Sequence, residues 1–408
     1  MEKPVAAIEL CSKCIKIVIG YVLNDKVHVI YTLTKDAGPI LQRGNIIDGP
    51  ALKDALESIS IIDDTSAKLR INIADALVAI PPYGVEVFQT KPVVTIISDD
   101  GKVSEFDIRN AYASVRKLGF PPNTQLVDII PSRFVLDQGR DYIEPPIGQA
   151  SSTLQIHSKV LTLPSYIFQN YTKAVEESGI KVRRTMVSST AAVELISSFG
   201  DEYPSDYLLV DVGSDMTTVS FVGRKQFFAA RFFSWGGDAI TKSITNEFNV
   251  DEGEAEKIKM LYGYDLRKLS FDSVVATSDE GGRQVQHRVS ELNVLIAREL
   301  DTFVRELNNA INSLFEGYPA ADVEKYKSLP MIFIGGGSTL YGFKEYLMGK
   351  VKSTSLIIAT PKTLGARNSS YFNCLGMILM NRKYPNAYDD NQKKVTDLGR
   401  DARSEDKK

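Results

Sequence analysis

An acidic residue followed three positions later by a serine occurs at the end of two apolar segments. Glu9 precedes Ser12 after VAAI, and Asp211 precedes Ser214 after YLLV. In a tight turn between strands, backbone N–H groups and the serine hydroxyl can bind phosphate oxygens, while the acid orients a hydrated Mg²⁺ ion. One such turn alone is more typical of an ordinary β-turn. Two of them, with the glycines described next, predict a nucleotide held between two related lobes.

Two glycine turns extend this pattern. Gly335–Ser338 follows the apolar segment MIFI, and Gly236-Gly237 precedes a helical pattern. Glycine permits close approach of the backbone to a ligand, and a helix predicted from near Leu340 would offer its positive end. The run has neither the Lys-Ser/Thr of a P-loop nor the spacing of a dinucleotide fingerprint, so it is weak evidence by itself.

Glu256 and Lys259 lie three residues apart in a helical segment, EGEAEKIKMLYG. They therefore share a helix face, from which they could reach ribose hydroxyls. The alternative is a surface ion pair, which this spacing also allows.

The cysteines and histidines offer little for redox, zinc or triad chemistry. Cys11 and Cys14 form a C-x-x-C, but it falls in a strand-turn-strand rather than at a helix N-terminus. A zinc site needs further ligands, and Cys374 has no cysteine near it. Only three histidines are present.

Strand and helix signals alternate along the chain, which predicts an α/β fold. The predicted strands are VAAIEL, CIKIVIGYVL, VHVIYTL, ALVAIP, VEVFQTKPVVTI, LVDIIPSRFVLD, LQIHSKVLTL, the two halves of YLLVDVGSDMTTVSFVG, and MIFI. The predicted helices are ALKDALESISII, a helix capped at Ser104 and running through Leu118, Ile167 to Ser178, Ala239 to Asn249, EGEAEKIKMLYG, and Arg288 to Glu316.

Composition favours a cytoplasmic protein of two or three domains. The 408 residues include 48 Lys or Arg and 51 Asp or Glu, a formal net charge of −3, which argues against a wholly basic nucleic-acid binder. No apolar stretch reaches the ~18–20 residues that span a bilayer, and no export signal is visible. In residues 381–408, 14 of 28 side chains are charged, which predicts a disordered tail.

Several segments together resemble the FtsA family of the actin/Hsp70/hexokinase superfamily. They are LQRGNIIDGPAL with Arg43, Gly44 and Asp48, the segment Ile129 to Gly148, LLVDVGSDMTTVSFV, FFSWGGDAITKSI and IFIGGGSTLYGF. The resemblance covers about Val5 to Leu379 and rests on the order and spacing of these segments.

The resemblance implies an actin-like (ribonuclease H-like) two-lobed α/β fold, with an inserted SHS2-type subdomain 1C in place of actin's 1B. The expected parts are 1A (1–82 and 160–195), 1C (83–159), 2A (196–237 and 318–380), 2B (238–317) and the charged tail (381–408).

It also implies an ATP site with Mg²⁺, in which Asp211 holds the ion through water and no residue is catalytic. The implied nucleotide-binding residues are Glu9, Cys11, Ser12, Lys16, Asp211, Gly213, Ser214, Thr217, Gly236, Gly237, Glu256, Lys259, Gly335, Gly336, Gly337 and Ser338. Arg288 and Arg298 match the arginines of the helix with which the family binds the acidic C-terminal peptide of the tubulin-like protein FtsZ.

Three features depart from the family pattern. Cys11 stands where the family has Gly, and Ser214-Asp215 stands where it has Gly-Gly. A Cβ in a phosphate turn and a carboxylate facing the γ-phosphate predict weak ATP binding, with weak or absent hydrolysis. The C-terminal segment lacks the family's amphipathic membrane helix, so membrane contact is expected only through a missing anchor or a partner.

The leading hypothesis is therefore a filament-forming, ATP-binding cell-division protein that links FtsZ to the cytoplasmic face of the membrane at the division site. One alternative is a pilus-assembly ATP-binding protein of the PilM type. A second is a kinase-like phosphotransferase of the same superfamily, for which Thr218 stands at the position where a carboxylate is common.

Overall fold

The computed structural model describes residues 3–65, 68–265 and 272–384. The strands are β1 (Val5–Leu10), β2 (Cys14–Leu23), β3 (Lys26–Asp36), β4 (Leu41–Gln42), β5 (Asn45–Ile46), β6 (Ile61–Asp64), β7 (Leu69–Asn72), β8 (Asp75–Ile80), β9 (Glu86–Thr90), β10 (Val93–Thr95), β11 (Thr124–Leu136), β12 (Asp141–Tyr142), β13 (Thr153–Pro164), β14 (Lys181–Val187), β15 (Tyr207–Val212), β16 (Thr217–Gly223), β17 (Gln226–Phe233), β18 (Val274–Glu280), β19 (Arg283–Arg288), β20 (Met331–Ile334) and β21 (Leu356–Ile358). The helices are α1 (Gly49–Ser60), α2 (Glu105–Arg116), α3 (Ser165–Glu177), α4 (Ser188–Ser197), α5 (Gly237–Phe248), α6 (Glu252–Tyr262), α7 (Val289–Leu314), α8 (Ala320–Lys327), α9 (Phe343–Leu347) and α10 (Phe372–Lys383).

The first compact unit comprises 1–85 and 166–380 and contains two five-stranded sheets. Their strand orders are β14-β8-β1-β2-β3 and β17-β16-β15-β20-β21. In each sheet an antiparallel three-strand meander is extended by two parallel strands on the side of its first strand. The two sheets therefore repeat one topology, which confirms the pair of related lobes inferred from the two hairpins.

The second lobe is built around α7. Its apolar residues recur at intervals of three and four, and all of those in the predicted stripe are buried or partly buried, with Leu300 and Phe303 fully so. The stripe packs against strands of the second sheet and against α5 and α9. The long helix expected over 288–316 is confirmed within two residues at each end.

The second compact unit is formed by Glu86–Ser165, together with the described residues from Asn381 onward. Its sheet has the order β10-β13-β11-β12, with β9 also paired to β13. Helix α2 lies on this sheet through Ile108, Tyr112 and Val115, all of them buried. This unit runs from 86 to 165, where the sequence predicted an insertion at 83–159, and the limits of the subdomains stay predictions.

Two expectations about helices were wrong. The helix expected near Leu340 begins only at Phe343 and is five residues long, because Gly342 before it has a left-handed φ of +76°. The charged tail was expected to start at 381, yet α10 continues through Lys383. The rest of that tail, from 385 on, lies outside the described residues. Among the helices that the structure describes, none is both long enough and apolar enough to cross a membrane.

Candidate nucleotide-binding site

A cavity of about 390 Å³ opens in the first unit at the ends of β1 and β15. This volume falls within the range typical of small-molecule sites. The lining includes thirteen of the sixteen residues predicted to bind nucleotide: Glu9, Cys11, Ser12, Lys16, Asp211, Gly213, Ser214, Gly237, Glu256, Lys259, Gly335, Gly336 and Gly337.

The two hairpin turns have the same backbone geometry. Cys11 N–H donates to the Cys14 carbonyl at 2.8 Å, and Gly213 N–H donates to the Met216 carbonyl at 2.9 Å. In the strands on either side, Glu9 pairs with Lys16 and Asp211 with Thr218. Cys11 therefore holds the position that corresponds to Gly213.

The two acids are joined by a residue that the sequence analysis missed. Asn373 Nδ2 donates to Glu9 Oε1 at 2.6 Å and to Asp211 Oδ2 at 3.1 Å. Lys16 Nζ lies 3.4 Å from Glu9 Oε2. The sequence feature that could have revealed Asn373 is its place among the apolar residues of α10, because a buried polar side chain needs a hydrogen-bond partner.

Burial and charge shift the pKa values of this cluster. Burial, with a further contribution from the Glu9 charge, raises the pKa of Asp211 to about 6, while the Asn373 hydrogen bond opposes the shift. Burial alone would lower the pKa of Lys16, but the neighbouring Cys11 and Glu9 hold it well above its usual value. The site thus keeps a cationic lysine between acidic groups.

Two side chains at equivalent turn positions reach across the cleft with opposite charges. Lys13 of the first turn lies 2.7 Å from Asp238 and also pairs with Glu252, at the starts of α5 and α6. Asp215 of the second turn accepts hydrogen bonds from the Ser12 hydroxyl and, at 3.3 Å, from the Arg43 backbone N–H. The two lobes are therefore connected through both turns.

Lys259 organises the other end of the cleft. Its Nζ lies 2.6 Å from Glu256 Oε2, 2.8 Å from Thr241 Oγ1 and 3.2 Å from the Gly237 carbonyl. The ion pair expected at this spacing is present: Lys259 is only 8% exposed, the Glu256 side chain is 46% exposed, and both residues line the cavity.

The glycine turn packs directly on the second hairpin. A Cβ at Gly335, whose φ is +85°, would lie 2.4 Å from the Val212 carbonyl oxygen, and one at Gly337 would lie 2.5 Å from Val212 Cγ1. Glycine is required for this contact. A helix was expected to begin near Leu340. Instead, Gly336–Thr339 forms a 3₁₀ turn and α9 starts only at Phe343.

Three predicted residues lie outside the cavity lining and support the turns instead. Thr217 Oγ1 donates to the Trp235 carbonyl at 2.7 Å, and Ser338 Oγ donates to the Gly335 carbonyl at 2.8 Å. Gly236 lies against the backbone of Ser214, where a Cβ would come within 2.4 Å of its carbonyl oxygen. Thr218, rather than Thr217, faces the cavity.

The two arginines predicted to bind a partner lie outside the cavity lining. Arg298, on α7, contacts Ser243 at 2.8 Å and Glu247 at 3.1 Å, and its side chain is 55% exposed. Arg288 precedes α7 and donates to the Asp272 carbonyl at 2.6 Å. Among the described residues, no group of three or more His, Cys, Asp or Glu is arranged to hold a metal ion directly.

Two sheets of identical strand order with a cleft between them define an actin-like protein. Solved structures with this fold include the PilM-PilN type IV pilus biogenesis complex, at TM-score 0.59 and 16% identity over 93% of this chain and 99% of that chain. The ethanolamine utilization protein EutJ from Carboxydothermus hydrogenoformans follows at TM-score 0.51 and 12% identity, covering 92% and 89%.

Sequence comparison identifies the family within this fold to which the chain belongs. The family model described as cell division protein FtsA matches residues 208–376, and that of the SHS2 domain inserted in FtsA matches residues 84–162. Cell division protein FtsA of Bacillus subtilis (strain 168) is 24% identical over 371 residues, 89% of this chain and 80% of its own length. That of Enterococcus hirae is 22% identical over 378 residues, 91% and 81%. The chain belongs to the FtsA family of cell division proteins, with an actin-like fold and an inserted SHS2 domain.

Proposed function

We propose that this protein is an actin-like adaptor of cell division that binds adenine nucleotide in the cleft and the acidic C-terminal peptide of FtsZ on the surface of α7. The observation that carries the proposal is the exposed Arg298 on α7, in a chain of the FtsA family in which thirteen of the sixteen predicted nucleotide residues line one cavity. It would act at the cytoplasmic face of the membrane at the division site.

The residues of the cleft fit a nucleotide. Gly335 and Gly337 leave no room for a side chain, whereas Gly336 faces open space, and Lys259 with Glu256 offers polar groups suited to a ribose. Lys16 supplies buried positive charge, and the Asn373-linked pair of Glu9 and Asp211 suits water-mediated contact with Mg²⁺. When bound, the nucleotide would supply phosphate charge between the two hairpin turns.

The same residues favour binding over phosphotransfer. Thr218 stands opposite Asp211 on the second hairpin, and a threonine hydroxyl is a poor general base at neutral pH. We therefore propose weak hydrolysis at most, and the kinase-like alternative has no observation in its favour. The likeness to the PilM-PilN complex concerns the fold alone.

Self-association belongs to the same proposal. The resemblance implies contact between the inserted subdomain 1C of one protomer and subdomain 2B of the next, so that protomers form filaments. Electron microscopy of the purified protein with and without nucleotide checks this part of the proposal.

The peptide-binding surface has a matched control on the same helix. An FtsZ C-terminal peptide is titrated by fluorescence anisotropy into the wild type, Arg298→Ala, Arg288→Ala and Arg305→Ala. Arg305 is 65% exposed on α7 and pairs only with the adjacent Glu306 among the contacts described for it. Since charge-assisted bonds to a carboxylate contribute roughly 1.5–3 kcal/mol, Arg298→Ala should weaken binding about tenfold or more.

Arg305→Ala should leave the affinity within about twofold, and 0.5 M NaCl should weaken wild-type binding because the contact is electrostatic. Absence of peptide binding to the wild type, or equal effects of Arg298→Ala and Arg305→Ala, would refute the α7 surface.

A further inference from the structure

The carboxylate of Asp215 occupies hydrogen-bond donors of the opposite lobe. Asp215 lies in the turn between β15 and β16, and its Oδ1 accepts from the Ser12 hydroxyl in the turn between β1 and β2. Its Oδ2 accepts from the Arg43 backbone N–H at 3.3 Å. A serine hydroxyl and a backbone N–H in facing turns are the donors that a phosphate group would use. An internal anion therefore already satisfies them.

The charge of the cleft acts in the same direction. Five acidic side chains and two lysines line the cavity. Lys16 and Lys259 are each engaged by an acid, Glu9 and Glu256 respectively. Each further phosphate therefore adds negative charge to a site that has an excess of it, and in a partly buried site this repulsion is weakly screened.

A terminal phosphate placed between the turns would have to displace Asp215 from Ser12 and Arg43 and then remain close to its charge. A nucleotide whose phosphate chain is one group shorter makes no such demand. It keeps the polar contacts available along Lys259, the glycine turn and Lys16.

We propose that Asp215 is a specificity-determining residue that makes this cleft select a nucleoside diphosphate over the corresponding triphosphate, because its carboxylate takes the donors of the terminal phosphate. This inference rests on the proposed nucleotide binding. The inference gives a role to Asp215 in the second turn, whose equivalent in the first turn is Lys13.

Calorimetric titrations of ADP and ATP with Mg²⁺ into the full chain test the inference. The proteins are the wild type, Asp215→Asn, Ser12→Ala and the control Asp99→Asn, which removes an exposed carboxylate from the inserted unit. We expect the wild type and Asp99→Asn to bind ADP at least about tenfold more tightly than ATP. Asp215→Asn should bring the ratio close to one, mainly through tighter ATP binding, since the amide keeps the shape and loses the charge.

Ser12→Ala should keep the preference for ADP, because the carboxylate remains. A wild type that binds ATP as tightly as ADP, or a ratio that Asp215→Asn leaves unchanged, would overturn the selection while leaving the nucleotide site intact. No binding of either nucleotide to any of the four proteins would overturn the nucleotide site itself and the selection with it.

Discussion

Cys11 and Cys14 show how one turn gives two chemically similar side chains different properties. The turn is closed by the backbone hydrogen bond between these residues, and their thiols also interact. The hydrogen bond from Cys11 lowers the pKa of Cys14, against the effect of burial, while the same contact and burial raise the pKa of Cys11. Burial likewise raises the pKa of Cys374. Thiolate character is therefore concentrated at Cys14.

Thiol labelling checks this assignment. With iodoacetamide at pH 7.5, Cys14 should react several-fold faster than Cys11, because the thiolate is the reactive form and Cys14 has the lower pKa. Cys374 should react only after denaturation, since it is fully buried. Peptide mass spectrometry over a time course gives the three rates. Cys14→Ser serves as the control, and faster labelling of Cys11 than of Cys14 in the wild type would contradict the prediction.

At this scale the sequence predicted residues within a turn better than contacts between turns. Glu9, Ser12 and Asp211 were predicted because each acid and hydroxyl lies within three positions on one hairpin. Asn373 was missed, although it bonds to both acids, because it is 364 residues from Glu9. Lys13 was missed for the same reason, since its partners belong to the other lobe.

Helix α2 shows how an element is fixed by its first turn. The Ser104 side chain caps the helix by accepting a hydrogen bond from the Asp107 backbone N–H. In turn, the Asp107 carboxylate accepts a hydrogen bond from the Ser104 backbone N–H at 2.9 Å. Asp107 also accepts from the Ser98 hydroxyl at 2.6 Å and the Ile97 N–H at 3.1 Å. Burial alone would raise the pKa of Asp107, but these bonds outweigh it and lower the pKa to about 2.

A pH dependence of α2 follows from this pKa. Because the folded-state pKa is lower than the ordinary value of 3.8, ionised Asp107 stabilises the folded state above about pH 4, and the stabilisation is lost as the pH falls towards 2. At ~1.4 kcal/mol per pKa unit, Asp107→Asn should lower the opening free energy of α2 by roughly 2.5 kcal/mol at pH 6 and by about half of that at pH 3.

Hydrogen exchange of α2 amides, compared between variant and wild type at each pH, measures this difference without correction for intrinsic rates. Glu105→Gln is the matched control, since Glu105 is on the same turn with a side chain 74% exposed. An Asp107→Asn effect of equal size at both pH values would show that the carboxylate charge is not the cause.

Helices were predicted correctly where the signal lay in the sequence of the helix itself. They were not where a tertiary contact set the helix boundary. The Ser104 cap and the α7 stripe were both visible in the sequence and are confirmed. Helix α9 was misplaced because Gly342 lies against Tyr264, where a Cβ would come within 2.2 Å of the Tyr264 carbonyl oxygen. Nothing in the local sequence reveals that neighbour.

In the first unit as a whole, the two lobes are joined by side chains that surround the cleft. Lys13 pairs with Asp238 and Glu252. The centroids of the Tyr83 and Phe232 rings are 4.5 Å apart. Burial would lower the pKa of Lys13, but bonds to both acids outweigh this and raise it. These contacts need no ligand, so we expect them to couple the lobes in the nucleotide-free protein.

A double-mutant cycle measures that coupling. Lys13→Met, Asp238→Asn and the double variant are unfolded in urea, and the transition is followed by the fluorescence of Trp235, the single tryptophan, which is buried in the second lobe. The Asp238 side chain is only 13% exposed and lies 2.7 Å from Lys13, so the coupling energy should be about 1 kcal/mol.

The exposed pair Lys53–Glu57 on α1 supplies the comparison for this cycle. Both of its side chains are 49% exposed, its N–O distance is 3.6 Å and both members belong to one helix. A cycle with Lys53→Met and Glu57→Gln should give roughly 0.3 kcal/mol, and 0.5 M NaCl should reduce this smaller value proportionally more, because exposed pairs are screened more strongly. If the effects of Lys13→Met and Asp238→Asn are additive, this ion pair does not couple the lobes, and the coupling must come from the other contacts across the cleft, those of Asp215 and the Tyr83–Phe232 ring pair.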